Sequence, residues 1–305
     1  MSRIETLPKS PFIDKISIVL KPESKQDAHD IYMGLFQSVD DPEVWTNAPK
    51  GKGFNLGKRI KLPSVVDHKR WPLLQARYDA KSQQVESIRL EFVPVDLGPQ
   101  GMGELHSVMM TIMDGGWEYV AKHGHVSRID VTVDLPGVRM DGFQFLPKSP
   151  STTMRWTLNG VLQNVAFGKT KGNQTLIYNR KTKRLSKKQG WDGQSVVRIE
   201  RRLVNVAIKL HELPSLSNPF ADMQLTENMP AAPSDVDDGL WTMFCDSVKV
   251  RGLKDALALL KKERRTKFRK YLAAHPVPWW QPDDIWKGWE PMLLSLKIAT
   301  VKWPG

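Results

Sequence analysis

A single cysteine, Cys245, stands among 305 residues, so the chain can build neither an internal disulfide nor a cysteine-based zinc site. Its neighbours Trp241, Met243 and Phe244 mark it as a small buried hydrophobe. No apolar run approaches the roughly 20 residues needed to cross a bilayer. The opening Met1-Ser-Arg-Ile-Glu-Thr-Leu-Pro8 has no apolar signal core. A cytoplasmic protein without a membrane partner is the expectation. The glycine-rich stretch from Gly51 to Gly57 lacks the Lys-Ser/Thr ending with which such loops grip phosphate and magnesium. Acids are also scarce: 33 Asp and Glu face 45 Lys and Arg, a formal charge of +12. That balance favours a polyanionic partner, because each Lys or Arg contact to phosphate releases condensed counterions.

The first 213 residues read as one α+β domain, an antiparallel sheet with packed helices. Alternation places strands over Asp14–Leu20, Ser87–Val93 and around Asp130, Tyr178 and Glu200. Helical spacing covers Asp27 to Val39, with Ile31, Leu35 and Val39 on one face, and Glu104 to Trp117. Met154 to Phe167 reads as a hairpin turned at Asn159-Gly160. Residues 214–239, rich in Pro, Ser, Asn and Asp, read as a linker. Residues 240–305 form a small all-α domain whose helices break at Gly252 and at Lys261-Lys-Glu263.

The chemistry-bearing stretch is Thr175-Leu-Ile-Tyr-Asn-Arg-Lys-Thr-Lys-Arg184, in a run with no acid from Lys169 to Lys188. A phenol has a pKa near ~10 and needs a metal, a base or cations before it attacks phosphorus. Arg180, Lys181, Lys183 and Arg184 supply cations and a grip on a DNA backbone, with Arg198 as a further DNA contact. The plainer alternative is a tyrosine packed in a strand. By the two-residue period, Arg128, Asp130, Thr132 and Asp134 share a polar strand face, Arg198, Glu200 and Arg202 share another, and Glu91 lies on a third. Were these strands neighbours, Glu91, Asp130 and Glu200 could hold Mg²⁺ or Mn²⁺, hard ions that also engage phosphate. The alternative is surface acids paired with Arg89, Arg128 and Arg198, which contribute little.

Ser-Arg-Ile-Asp130, Thr-Leu-Ile-Tyr178-Asn-Arg and Val-Arg-Ile-Glu200, in this order, resemble the rolling-circle replication initiators. The gene II-type proteins of filamentous phages look closest, and plasmid Rep proteins of the Rep_trans type are similar. Arg89-Leu-Glu-Phe-Val-Pro94 is similar to the family's Glu-bearing strand, and the likeness spans about residues 12 to 205. It implies a nicking endonuclease of a bacterial host's cytoplasm, with origin DNA and the host helicase and polymerase as partners. Tyr178 would then join the 5′ phosphate, with Asp130, Glu200 and Glu91 as metal ligands. Asp134 fits the plasmid branch better than the phage branch. Arg180 stands where the family often has Lys, which keeps a phosphate contact but not a proton shuttle.

Two further patterns point elsewhere. His123-Gly-His125 is superficially the histidine pair of HUH nickases, but its glycine makes it a turn. His125-Val-Ser-Arg128 has the spacing of the tyrosine-recombinase box, which belongs on a helix rather than on this alternating strand. A recombinase and a non-catalytic DNA-binding regulator stay as alternatives. Beyond Gly252, Arg264, Arg265 and Lys267 either contact DNA from a helix-turn-helix-like unit or coat a bundle whose core is Leu253, Leu257, Leu260, Phe268 and Leu272. Trp279, Trp280, Trp286, Trp289 and Trp303 fit core closure better than base stacking.

Overall fold

The computed structural model describes residues 10–299 apart from 147–152, 160, 170, 187, 189, 191–193 and 195. Strand β1 (Phe12–Leu20) leads into helix α1 (Lys25–Ser38), and β2 (Trp45–Asn47), β3 (Leu56–Ile60), β4 (Leu73–Asp79) and β5 (Gln84–Phe92) follow. Next come α2 (Pro94–Ile112), α3 (Gly116–His123), β6 (His125–Pro136), β7 (Phe143–Leu146), β8 (Thr153–Leu158), β9 (Val161–Gly168) and β10 (Gln174–Asn179). Helix α4 (Arg180–Ser186) precedes β11 (Val196–Val204) and β12 (Gln224–Glu227). The remaining helices are α5 (Asp238–Arg251), α6 (Leu253–Ala258), α7 (Lys262–Ala273), α8 (Pro282–Trp286) and α9 (Trp289–Ser295). The architecture is mixed α+β with a large antiparallel sheet, as the alternation predicts.

The chain forms two units. One comprises Ser10–Thr132, Arg202–Ser217 and the stretch from Lys287 onward. Its strands run β2-β3-β4-β5-β1-β6, with every neighbour antiparallel. Ser24 caps α1 by accepting from the Asp27 amide, and Ile31, Leu35 and Val39 are buried on its inner side. Each such side chain contributes roughly 1.5–3 kcal/mol by leaving water. Gly34 lets α1 lie against the Ile112 backbone, since a Cβ there would stand 2.2 Å from the Ile112 carbonyl oxygen. The helix predicted over Glu104–Trp117 is two helices. Gly115 and Gly116 take positive φ of 75° and 48° and break the turn between α2 and α3.

His106 of α2 is buried and stacks on Trp117, with ring centroids 4.6 Å apart. Burial, and then repulsion from Lys297, pulls its imidazole from 6.5 down to about 4. The unfolded chain therefore takes up the proton first as pH falls. His106's stabilising contribution is complete above pH 6.5 and drains away toward pH 4. Stability should fall by about 3 kcal/mol from this residue between neutral pH and the lower pKa. Urea midpoints along that range would show the step, and His106→Phe, which keeps the ring stack, should flatten it.

The other unit comprises Val133–Arg201 and Asn218–Trp286. Its strands run β11-β10-β9-β8, and β7 pairs with β12 in a second small sheet. Residues 214–239, linker-like in composition, carry β12 and hold the Tyr271 and Trp241 side chains through the carbonyls of Ala231 and Pro230. Three helices appear where predicted around Gly252. Leu253, Leu257, Phe268 and Leu272 are buried with Trp241, Phe244, Val248 and with Leu146 of β7, so the bundle core includes the small sheet. Among the described tryptophans, Trp280 and Trp289 donate to buried carbonyls of Met223 and Leu213, as core closure requires. Trp303 lies outside the described residues, as does Gly160 of the predicted hairpin turn.

Candidate active site

The Tyr178 segment is built by a change of period at one residue. Gln174 to Asn179 is a strand antiparallel to β9, with Tyr178 opposite Asn164. The Asn179 side chain then accepts from the Thr182 amide at 3.2 Å, a capping interaction that starts α4 directly after the tyrosine. Thr182 also donates to Gln163 Oε1 at 2.6 Å, tying α4 back to β9. One consequence is that Lys183 folds over the Tyr178 ring, its Nζ 3.8 Å from the centroid.

The phenol points at a carboxylate. Tyr178 Oη donates to Glu200 Oε2 at 3.4 Å, and the two residues are only 3 % and 4 % exposed. Asp134 organises the neighbouring cations. Arg198 grips it with two parallel bonds, Nε to Oδ1 at 2.7 Å and Nη2 to Oδ2 at 2.9 Å. Arg180 Nη1 reaches the same Oδ2 at 2.8 Å. One carboxylate thus orients the arginine two residues beyond the tyrosine and the arginine two residues before Glu200. Sequence reasoning left Asp134 without a role. The signal was its place on the polar face of β6, but its partners lie 46 and 64 positions away.

The other acids are placed differently. Asp130 is 2 % exposed, so it is no surface acid. It accepts from Arg128 Nε at 2.9 Å and pairs with Arg202 Nε at 3.6 Å. Glu91 is bound by Lys15 at 2.6 Å. Glu91 pairs in register with Ser17, and Lys15 with Asp130, so β1 lies between the two acids. Two strand spacings and a two-residue offset along β1 separate their backbones by roughly 12 Å. Among the described residues no three His, Cys, Asp or Glu side chains converge as a metal site. A divalent ion at Asp130 would also meet two guanidinium groups already balancing that charge. Asp130 and Glu91 are thus each held by basic side chains and stand on either side of β1.

Among the predicted DNA contacts, Lys181 and Lys183 are exposed and Arg184 is half-buried. On α7, Arg264 is exposed, while Arg265 donates to the Ala258 and Leu260 carbonyls at the end of α6 and Lys267 pairs with Asp235. His123 ends α3 and His125 opens β6, with Gly124 as an extended C-cap between them, so the expected turn is a direct helix-to-strand junction. Among the described residues no helix is long and apolar enough to cross a membrane. No protein-family model matches the sequence, and no curated protein matches it.

Proposed function

We propose that the chain cuts and rejoins single DNA strands through Tyr178, as an initiator of rolling-circle replication. The contact between the Tyr178 hydroxyl and Glu200 Oε2 carries this reading. A carboxylate there can take the phenol proton as the oxygen attacks phosphorus, the role of a general base. The new bond joins tyrosine oxygen to phosphorus, and the bond to the 3′ oxygen breaks. The leaving oxygen takes a proton and departs as a 3′ hydroxyl, while the 5′ phosphate stays on the enzyme. Attack by a 3′ hydroxyl on that ester reverses the step and closes a circle. Lys183 and Arg180 flank the ring and the strand end, where they can offset charge gathering on the phosphoryl oxygens. Arg180 stays charged throughout, so proton transfer falls to Glu200.

The near-complete burial of Tyr178 favours a second reading, a DNA-binding regulator in which the phenol only packs. Incubating the full chain with supercoiled DNA bearing its own element's origin, with Mg²⁺ present, separates them. Nicked circles with protein attached to the 5′ end are expected. Bound but uncut DNA would leave the regulator, and attachment through a 3′ phosphate would indicate a recombinase.

A further inference from the structure

The β8–β9 hairpin has one filled face, and its other face is open along β8 and at Val161. On the filled face Arg155, Val165 and Ile177 line a cavity together with Leu253 of α6. On the open face Met154, Trp156, Leu158 and the adjoining Val161 are between 47 and 52 % exposed. Four large apolar side chains together on the last strands of a sheet are unusual, because edges are ordinarily guarded by charge. Register ties this patch to the candidate nucleophile. Trp156 pairs with Asn164, and Asn164 pairs with Tyr178, so the three side chains form one row across one face. Two strand spacings place Trp156 roughly 10 Å from Tyr178. Exposed Lys169, Lys171, Lys181 and Lys183 belong to the same unit, in the stretch that carries no acid.

We infer that the open face of β8–β9 is a stacking platform for unpaired DNA bases beside the phosphate held at Tyr178, with Trp156 as its principal contact. Apolar and aromatic faces among lysines suit a strand that offers flat bases and a charged backbone, and stacking accepts any base. Duplex DNA keeps its bases stacked inside and gains little from the patch. The inference rests on the nucleophile reading for the location of the cleaved phosphate, but base stacking itself needs no cleavage.

The test uses the full chain and a fluorescein-labelled oligothymidine, with a mixed-sequence duplex of equal length as comparison. Trp156→Ala should weaken oligothymidine binding about tenfold, leave duplex binding within about twofold, and keep the wild-type melting temperature. Trp156→Phe, which restores an aromatic face, should recover most of the loss. Unchanged oligothymidine affinity in Trp156→Ala would overturn the platform, and so would equal loss on duplex and single strand. Sedimentation showing that Trp156→Ala splits a dimer while DNA binding persists would assign the face to a second copy instead. Selective loss on oligothymidine in a protein that never nicks its origin would retain the platform and remove the nickase.

Discussion

Tyr178→Phe is expected to lose origin nicking by a factor on the order of a thousand or more, because it removes the oxygen that must bond to phosphorus. Binding of the same DNA should change little. The substituted ring still offers an aromatic face to Lys183, which lies over the ring rather than at the hydroxyl. The fold should also survive, since the strand pairing of Tyr178 with Asn164 is made by the backbone. Gel assays for nicked circles, run beside anisotropy measurements on uncut origin DNA, separate the two effects. Wild-type nicking by the variant would end the assignment of Tyr178, whatever the DNA affinity.

Asp134→Ala should damage the fold more than any substitution among the exposed lysines. Asp134 takes three hydrogen bonds from two arginines, and the Arg198 side chain is only 8 % exposed. Removing the acid takes the carboxylate from a nearly buried guanidinium, and deleting one partner of a buried pair costs about 3–5 kcal/mol. Arg180 is 36 % exposed and can turn to water, so its share of the loss is small. Urea unfolding should show a lowered midpoint with an unchanged slope. Asp134→Asn, which keeps acceptors but not charge, should lose less. A loss below about 1 kcal/mol in the alanine variant would mean that the clamp behaves as an ordinary surface pair.

The strands were legible wherever apolar residues alternate. Ile16, Ile18 and Leu20 fix β1, and Ile129, Val131 and Val133 fix β6. Which strands become neighbours was not legible, because alternation sets a face and says nothing of a partner. The insertion of β1 between β5 and β6 separates Glu91 from Asp130, and nothing local in either segment signals it. Burial of the polar faces was equally hidden. Thr132 is fully buried and Asp130 nearly so, although both alternate with core residues as a solvent-facing row would. Tyr178, Glu200, Arg180 and Arg198 were singled out from local motifs. Asp134, which holds the two arginines, depends on pairings far along the chain.

The cover over the tyrosine is a helix of seven residues. Helices so short are marginal without outside support, and the ties of α4 to its surroundings include the Asn179 cap, the Thr182–Gln163 bond, the Lys183–ring contact and the Arg180–Asp134 bond. Fraying of such a segment lies at the inexpensive end of native-state openings, well below global unfolding. Such an opening would uncover the Tyr178 ring in a minor population before any substrate arrives, and a ligand preferring that state would enrich it by mass action. Reactivity at Tyr178 would then be a matter of occupancy: the same short helix whose Lys183 lies over the ring would set the fraction of molecules ready to react.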